Sequence, residues 1–479
     1  MKPTTLLCLC CIIYCNATFA QDANYWSAPY GPGGFLTTGA TLARNNDSGV
    51  LFYNPALLAY NTKNAASISG SIYNFQSTRI KNGAGTGLNL NSSAESVVPG
   101  IASNTIYLNL KNKPITVAYA LINDPVINYQ SSQRRDAKIN VLDDSYSPGT
   151  EYFVGQYTAS NSVSQTSGVL AFGKPVSSKL AIGLSFSISS RKQTSLLDYK
   201  SRALINNGNI YNPPIVNVSE YYLAHNTNIG FGIKAGIAYD LAEKHHLGLL
   251  ISAPLLHLWG SSDILSDNVI NNLQLVPGDT LYLLANTKQT KLKSKWKMPL
   301  STALGYTYDY GGGQLYFAVE YFTKVNEYNV ITPHNDYFIR PDTANNSYTS
   351  ALLRMKDARK AVVNFALAFS FPIKEAVTGF LSARTDFSYA SDKLFANTDG
   401  YKVNTANWNL YHIQFGGNFK KRKFNLRSGL LLSYGSTKKY DQGINFDNPN
   451  EGNLLIGDIG KTKATRFSAG IMVAYIHNL

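Results

Sequence analysis

The chain has 479 residues, of which 43 are lysine or arginine and 29 aspartate or glutamate, for a formal charge of +14. Only 15% of residues are charged, against about 25% in soluble domains, yet the mean hydropathy is −0.14. The first value argues against a string of ordinary soluble domains. The second excludes a polytopic helical membrane protein, and beyond the N-terminus no stretch is long and apolar enough to span as a helix. A chain with 32 tyrosines and 37 glycines, poorly charged but not hydrophobic overall, suits a β-barrel with one lipid face and one wet face.

The first element is a secretory signal. Lys2 is its basic start, Leu6 to Tyr14 its apolar run, and Thr18-Phe19-Ala20 its small-residue cleavage site, which places residues 1–20 outside the mature chain. All four cysteines (Cys8, Cys10, Cys11 and Cys15) fall in that segment. The mature chain then has no disulfide, no thiol nucleophile and no cysteine metal site.

Residues 21–63 follow without strand alternation. Gly31-Pro32-Gly33-Gly34 carries turn chemistry, and Asn54-Pro55 is a rigid turn, because Asn bonds its own backbone and Pro fixes φ. From residue 64 to 479 the dominant signal is period-2 alternation. Ile229, Phe231, Ile233, Ala235, Ile237 and Tyr239 alternate with Asn228, Gly230, Gly232, Lys234, Gly236 and Ala238. Similar runs start at Ala181, Val363 and Phe424. About fourteen such strands are expected, an even number as bacterial barrels require. They fall at 64–76, 101–110, 114–129, 164–174, 179–192, 225–240, 245–258, 297–309, 313–327, 360–371, 377–392, 406–420, 423–437 and 464–478. Short and long connections alternate strictly between them, as periplasmic turns and outer loops do. The last strand puts Phe467, Ile471, Tyr475 and Leu479 on one face; the chain stops on Leu479, where barrels more often end in an aromatic residue.

The segment Asp47-Ser48-Gly49-Val50-Leu51-Phe52-Tyr53-Asn54-Pro55-Ala56 resembles the FadL family of outer-membrane transporters for long-chain fatty acids and other hydrophobic compounds. The family's Asn-Pro-Ala maps to Asn54, Pro55 and Ala56, and its acidic-plus-small pair to Asp47 and Ser48, with Phe52 between. The resemblance implies that residues 21–63 form a hatch plugging the lumen of a transmembrane antiparallel β-barrel, 64–479. A lumen of this size is too wide for its own side chains to fill; the alternative is a turn lying on the surface before the first strand. The family's lateral route depends on a kink in the third strand. Here Asn123, Asp124 and Pro125 interrupt that strand, since Pro cannot donate to the ladder. They are candidates for a wall opening, unless the strand simply ends at Leu121.

Two outer loops have apolar residues near helical spacing. Ile264, Leu265, Val269, Ile270 and Leu273 mark one helical lid over Asp263–Leu275 and are candidates for a ligand groove. Ser350–Lys360 marks a second, and self-packed loops are the alternative. Lumen-phase charges include Lys234, Glu320, Arg384, Asp386, His412 and Arg427, suited to interior ion-pair networks. No Gly-x-Ser-x-Gly or His-Glu-x-x-His signature accompanies them, and His245 and His246 point to opposite faces of one strand. No catalytic residue, metal site or cofactor is expected.

The expected function is passive uptake of hydrophobic small molecules, such as long-chain fatty acids, by a monomer in a Gram-negative outer membrane with both termini periplasmic. Scattered lysines and arginines, with small clusters at Lys420–Lys423 and Lys438–Lys439, point to lipid headgroups or lipopolysaccharide rather than nucleic acid, or to solvated loops. The alternative function is an accessory barrel of an outer-membrane complex, as in type IX secretion, meeting partner proteins at its extracellular loops.

Overall fold

The structure, a computed structural model, describes residues 23–26, 36–45, 53–61, 63–110, 113–124, 127–209, 211–341, 348–396, 399–402 and 407–479. Its strands in chain order are β1 (Ala65–Ile80), β2 (Leu90–Leu110), β3 (Lys113–Asn123), β4 (Ile127–Ile139), β5 (Glu151–Pro175), β6 (Leu180–Leu204), β7 (Ile215–Ala242), β8 (His245–Ser252), β9 (Leu256–Val276), β10 (Asp279–Ser294) and β11 (Ser301–Asp309). They continue as β12 (Gln314–Phe322), β13 (Val325–Thr332), β14 (Ile339–Arg340), β15 (Met355–Arg359), β16 (Val362–Lys374), β17 (Val377–Asp386), β18 (Tyr401–Lys402), β19 (Asn409–Lys420), β20 (Phe424–Asp441) and β21 (Lys461–Asn478).

Fourteen of these close a barrel. β1, β2, β3, β5, β6, β7, β8, β11, β12, β16, β17, β19, β20 and β21 pair antiparallel in that order. β21 then pairs back on β1, from Ala65↔Asn478 to Ile80↔Ala464. Each overlaps one of the fourteen spans expected from alternation. Closure lets neighbouring strands satisfy each other's backbone groups along the ladders, the condition for crossing hydrocarbon. Alternation then sorts the two faces. Ile182, Leu184, Ile188, Ile237, Leu304, Phe365, Leu367, Ile413 and Phe415 stand exposed on the outside. Serines, asparagines and alanines point inward; Ser67 Oγ meets Ser103 Oγ at 2.6 Å and Ser167 Oγ meets Ser189 Oγ at 2.7 Å.

The strands are far longer than a membrane needs. β5 and β6 run 25 residues and β7 runs 28, where a tilted crossing takes about 9–11. The outward residues show where the bilayer ends. On β7 they are Ile229, Phe231, Ile233, Ala235, Ile237 and Tyr239 near the short turns, but Asn217, Ser219, Tyr221, Leu223 and His225 farther up. Over that upper part β7 pairs with β9 (Asn217↔Asn271 to Phe231↔Leu256) instead of β8. β4, β9, β10, β13, β14, β15 and β18 all belong to this outer tower. It is filled by its own apolar core, with Tyr129, Phe153, Tyr157, Tyr222, Phe338, Trp408, Tyr440 and Phe446 all buried.

The tower corrects several expectations. Asp263–Leu275 is not a helix: it lies within β9. The same apolar positions satisfy strand alternation once Ser262, Ser266 and Asn268 are seen to be buried beside Ile264 and Ile270. Of Ser350–Lys360, only the start is helical, in the one turn Thr349–Leu352, and Met355–Arg359 is strand β15. The expected loops around 130–163, 193–224 and 259–296 are mostly strand. The third strand, expected to reach residue 129, ends at Asn123, and β4 starts at Ile127.

Candidate functional site

The described part of residues 21–63 lies inside the barrel, and the wall is shaped to receive it. Asn54 caps a short 3-10 turn, Pro55–Tyr60, whose Pro55, Ala56, Leu57 and Leu58 are buried. Its side chain bonds in three directions. Nδ2 donates to Leu42 O at 2.8 Å and to Ile237 O at 3.1 Å, while Oδ1 accepts from Ala56 N at 3.0 Å. The Asn-Pro turn is thus tied at once to an earlier part of the segment and to β7.

The wall opposite is bare of side chains. Gly173, Gly183 and Gly236 face one another across β5, β6 and β7 (Gly173↔Gly183, Gly183↔Gly236), and Gly248 faces Gly305 across β8 and β11. A methyl group at Gly236 would overlap Asn54 Oδ1, at Gly183 the Pro55–Ala56 peptide, and at Gly248 the Leu42 carbonyl. At Gly173 it would stand 2.6 Å from Leu58 Cβ and 2.8 Å from Pro55 O. This glycine belt is a seat cut to the backbone of the segment, and only residues without Cβ permit that approach.

Two further anchors hold the segment. Toward the short turns, Arg44 Nη1 pairs with Asp240 Oδ2 at 3.0 Å, and the buried His246 touches Asp240 and Asp309 through its two ring nitrogens at 2.6 and 3.2 Å. At the tower end, Tyr25 N donates to Asp386 Oδ1 at 3.0 Å and Trp26 Nε1 to Glu320 Oε2 at 2.7 Å. Tyr25 also stacks on Phe322 at 4.1 Å. Of the lumen charges expected to form networks, Glu320 and Asp386 act on this segment. His412 Nδ1 lies 2.7 Å from Ser433 Oγ and its Nε2 3.7 Å from Asp386 Oδ2. That is a serine–histidine–aspartate row the motif reading did not contain. All three are buried, and Asp386 is already bonded to Tyr25 N and to Asn364 Nδ2. Of the row, Asp386 is the member that bonds the segment.

Between these anchors lies a luminal cavity of about 280 Å³. Tyr25, Trp26, Leu42 and Tyr53 of the N-terminal segment line it, together with Val169, Ile233, Leu250, Leu255, Trp296, Met298 and Phe322. Apolar walls with a few fixed polar groups are the usual form of a small-molecule site. The charged groups here are Lys234, Asp124 and Glu320, and Ser301 Oγ donates to Glu320 Oε1 at 2.6 Å. Just above, Arg191 stacks over Trp296 at 5.5 Å, and no described carboxylate pairs with it.

Behind this cavity, on the lipid face of the same strands, runs a groove of about 840 Å³ floored by Gly168 and walled by Tyr119, Leu121, Leu170, Phe186, Ile188 and Phe231. Val169 and Ser187 belong to both linings. The ladder between them is continuous at Leu121↔Gly168 and ends one turn higher. β2 pairs with β3 only as far as Ile101↔Ile122, and beyond Asp124 the strand beside β5 is β4, which has no ladder to β2. Among the described residues, bonds between a side chain and the main chain cross that seam. Gln130 N donates to Ser92 Oγ at 3.0 Å and Gln133 Nε2 to Asn89 O at 2.6 Å.

Of the residues singled out in the sequence, Asn54, Pro55 and Ala56 sit on the glycine belt. Asp124 lines the cavity at the seam, and Asn123 lies at the end of β3, where its Oδ1 accepts from Thr166. Asp47, Ser48, Phe52 and Pro125 fall outside the described residues. Ile264, Ile270 and Leu273 are buried in the tower core, while Leu265 faces outward. They are remote from the cavity and line no groove into it. Missed altogether were the cavity aromatics Trp26 and Trp296 and the glycine belt. Lumen-phase glycines on neighbouring strands were its only trace in the sequence.

No family model and no curated protein matches the chain. Solved structures do. The toluene transporter TodX of Pseudomonas putida superposes with a TM-score of 0.55 at 12% identity over 96% of this chain and 100% of its own. A FadL homologue of Pseudomonas aeruginosa gives 0.54 at 10% identity over 96% and 99%. The toluene transporter TbuX of Ralstonia pickettii gives 0.55 at 11% over 94% and 98%. The fold is that of the FadL-type barrels. At these identities the likeness concerns architecture, and the cavity, the belt and the seam above are described on this chain's own residues. The FadL-type fold makes the fourteen-stranded ring the shared frame.

Proposed function

We propose that the protein is an outer-membrane barrel for uptake of hydrophobic small molecules, with residues 21–63 as a lumen plug and both chain ends periplasmic. The observation that carries this is the back-to-back pair formed by the apolar cavity and the lipid-face groove, which share Val169 and Ser187 beside a seam without a ladder. With the tower mouth filled by its own core and the lower lumen held by Arg44 and Asn54, the seam at Asp124 is the side on which the cavity is held least tightly. A ligand in the cavity passes sideways at the base of that seam, beside Asp124 and level with Asn228, into the edge of the bilayer. The protein supplies no energy beyond differential binding.

The cavity also favours a ligand with an anionic end. Arg191, free of a carboxylate partner among the described residues, stacks over Trp296 at the edge of the cavity. A long-chain fatty acid places its carboxylate there and its chain along Leu250 and Leu255. Burying a charge without a partner is costly, and such a ligand supplies the missing one.

The test clamps the seam. Ser92→Cys with Gln130→Cys, adjacent through their hydrogen bond, forms the only thiol pair once the signal segment is removed. Oxidation should abolish uptake of labelled oleate into proteoliposomes and reduction should restore it. Unchanged uptake in the crosslinked protein would reject the lateral route. A stable multiprotein complex on purification, with no uptake in either state, would favour the accessory-subunit reading instead.

A further inference from the structure

The two rims of the barrel differ in charge. On the tower side, some of the cations are paired: Arg134 with Asp136, Arg135 with Asp447, Arg354 with Asp399, Arg359 with Asp357 and Lys402 with Asp392. On the short-turn rim they are not. Lys63, Lys174, Lys179, Lys244, Lys374, Lys420, Lys421, Arg422 and Lys423 are exposed, and none forms an ion pair among the described residues. Their neighbours of opposite sign on that rim are Glu243, Glu375, the chain terminus, and Asp240 and Asp309, which already meet Arg44 and His246.

The cations concentrate where β19 turns into β20, and the surface beside that turn is aromatic. Lys421 Nζ lies 5.4 Å over the Phe419 ring, Phe419 is 6.3 Å from Phe424, Phe424 stacks on Tyr475 at 5.9 Å, and Tyr475 on His477 at 6.2 Å. The turn is rigidly mounted, since Asn478 N donates to Lys423 O at 2.9 Å and Lys420 N to Ala376 O at 2.8 Å. Aromatic rings with polar edges settle at the headgroup level of a bilayer. Four consecutive cations at that level, with no carboxylate partner among the described residues, face whatever charge the membrane presents.

We propose that the Lys420–Lys423 turn and its aromatic row form a docking site for an anionic glycerophospholipid, the headgroup phosphate on Lys421 and Arg422 and the upper acyl chain along Phe419 and Phe424. Arginine binds phosphate bidentately and lysine as a point charge. Each such cation near an anionic leaflet strengthens attachment severalfold. The assignment of this rim to the phospholipid leaflet rests on the orientation proposed above, but lipid capture itself does not depend on uptake.

The experiment is native mass spectrometry of the full barrel, offered equal phosphatidylglycerol and phosphatidylcholine with identical acyl chains. The wild type should retain phosphatidylglycerol about tenfold more. Lys421→Gln with Arg422→Gln should bring the ratio close to one, while the same loss of charge on the tower side, Lys438→Gln with Lys439→Gln, should leave it unchanged. Heat-modifiable mobility on gels checks that each variant is folded. Equal retention of both lipids by the wild type, equal loss in both variant pairs, or capture of a soluble anionic polymer in place of lipid would each overturn the proposal. Uptake intact with no lipid preference would reject this site and leave the transport reading standing.

Discussion

The glycine belt offers a sharp handle on the proposed plug. Consider Gly236→Ala. The added methyl overlaps Asn54 Oδ1 and stands 3.0 Å from Asn54 Cγ and 3.1 Å from Pro55 Cδ. Gly236 belongs to a strand laddered on both sides, so the wall cannot retreat and Asn54 must. Retreat breaks its bonds to Leu42 O, Ile237 O and Ala56 N. At about 1 kcal/mol for each buried hydrogen bond, the loss is roughly 3 kcal/mol. Since about 1.4 kcal/mol is a factor of ten, the unseated population should rise on the order of a hundredfold. The assay is single-channel conductance in planar bilayers, together with entry of a small polar antibiotic into cells. Gly236→Ala should conduct where the wild type does not. Gly168→Ala, whose methyl meets open space on the lipid face, should stay silent. In an Asn54→Ala background the same glycine change should cost far less, because the group it strikes is gone. A folded Gly236→Ala barrel as tight as wild type, or a full effect that persists without the Asn54 carboxamide, would refute this account.

Three other outcomes follow from the same geometry. Glu220 lies in the tower, well above the bilayer band, where burial pushes its carboxyl from 4.5 up to about 7, with Tyr401 Oη donating to it at 2.5 Å. The folded state therefore holds this proton more tightly than the unfolded one. Tower stability should be greatest below the ordinary glutamate range and fall as pH rises to about 7, by about 3 kcal/mol in all. Hydrogen exchange of β7 and β9 between pH 5 and 8 measures this, and Glu220→Gln should flatten the profile. Trp408→Ala, emptying a fully buried site stacked on Tyr440 at 6.2 Å, should cost about 3–5 kcal/mol and open the tower to protease while the membrane strands stay protected. Asp386→Ala should free Tyr25 from its backbone anchor, read as labelling of a cysteine introduced at Ala23 by a membrane-impermeant reagent.

Much of the fold was legible because alternation is local. Each of the fourteen ring strands fell on an expected span, since a lipid face and a wet face impose opposite chemistry on successive residues. The tower was not legible for the same reason. Above the bilayer both faces are polar or mixed, so Gln156, Thr158 and Ser160 of β5 carry no contrast. Ile264, Leu265, Val269, Ile270 and Leu273 suited a helix as well as a strand, and the pairing of β9 with β7 and β10 decided the matter. Asn54 and Pro55 were legible as a turn. Their function was not, because what they touch is the absence of side chains on strands more than a hundred residues away.

The sequence by itself therefore determined that the chain closes into a membrane ring, through a period that each strand carries alone. Tertiary structure decided what fills that ring. The seating of residues 53–61 on Gly173, Gly183 and Gly236, the cavity between Trp26 and Trp296, and the seam where β2 and β4 fail to pair all depend on distances between distant segments. Only closure of the sheet sets those distances.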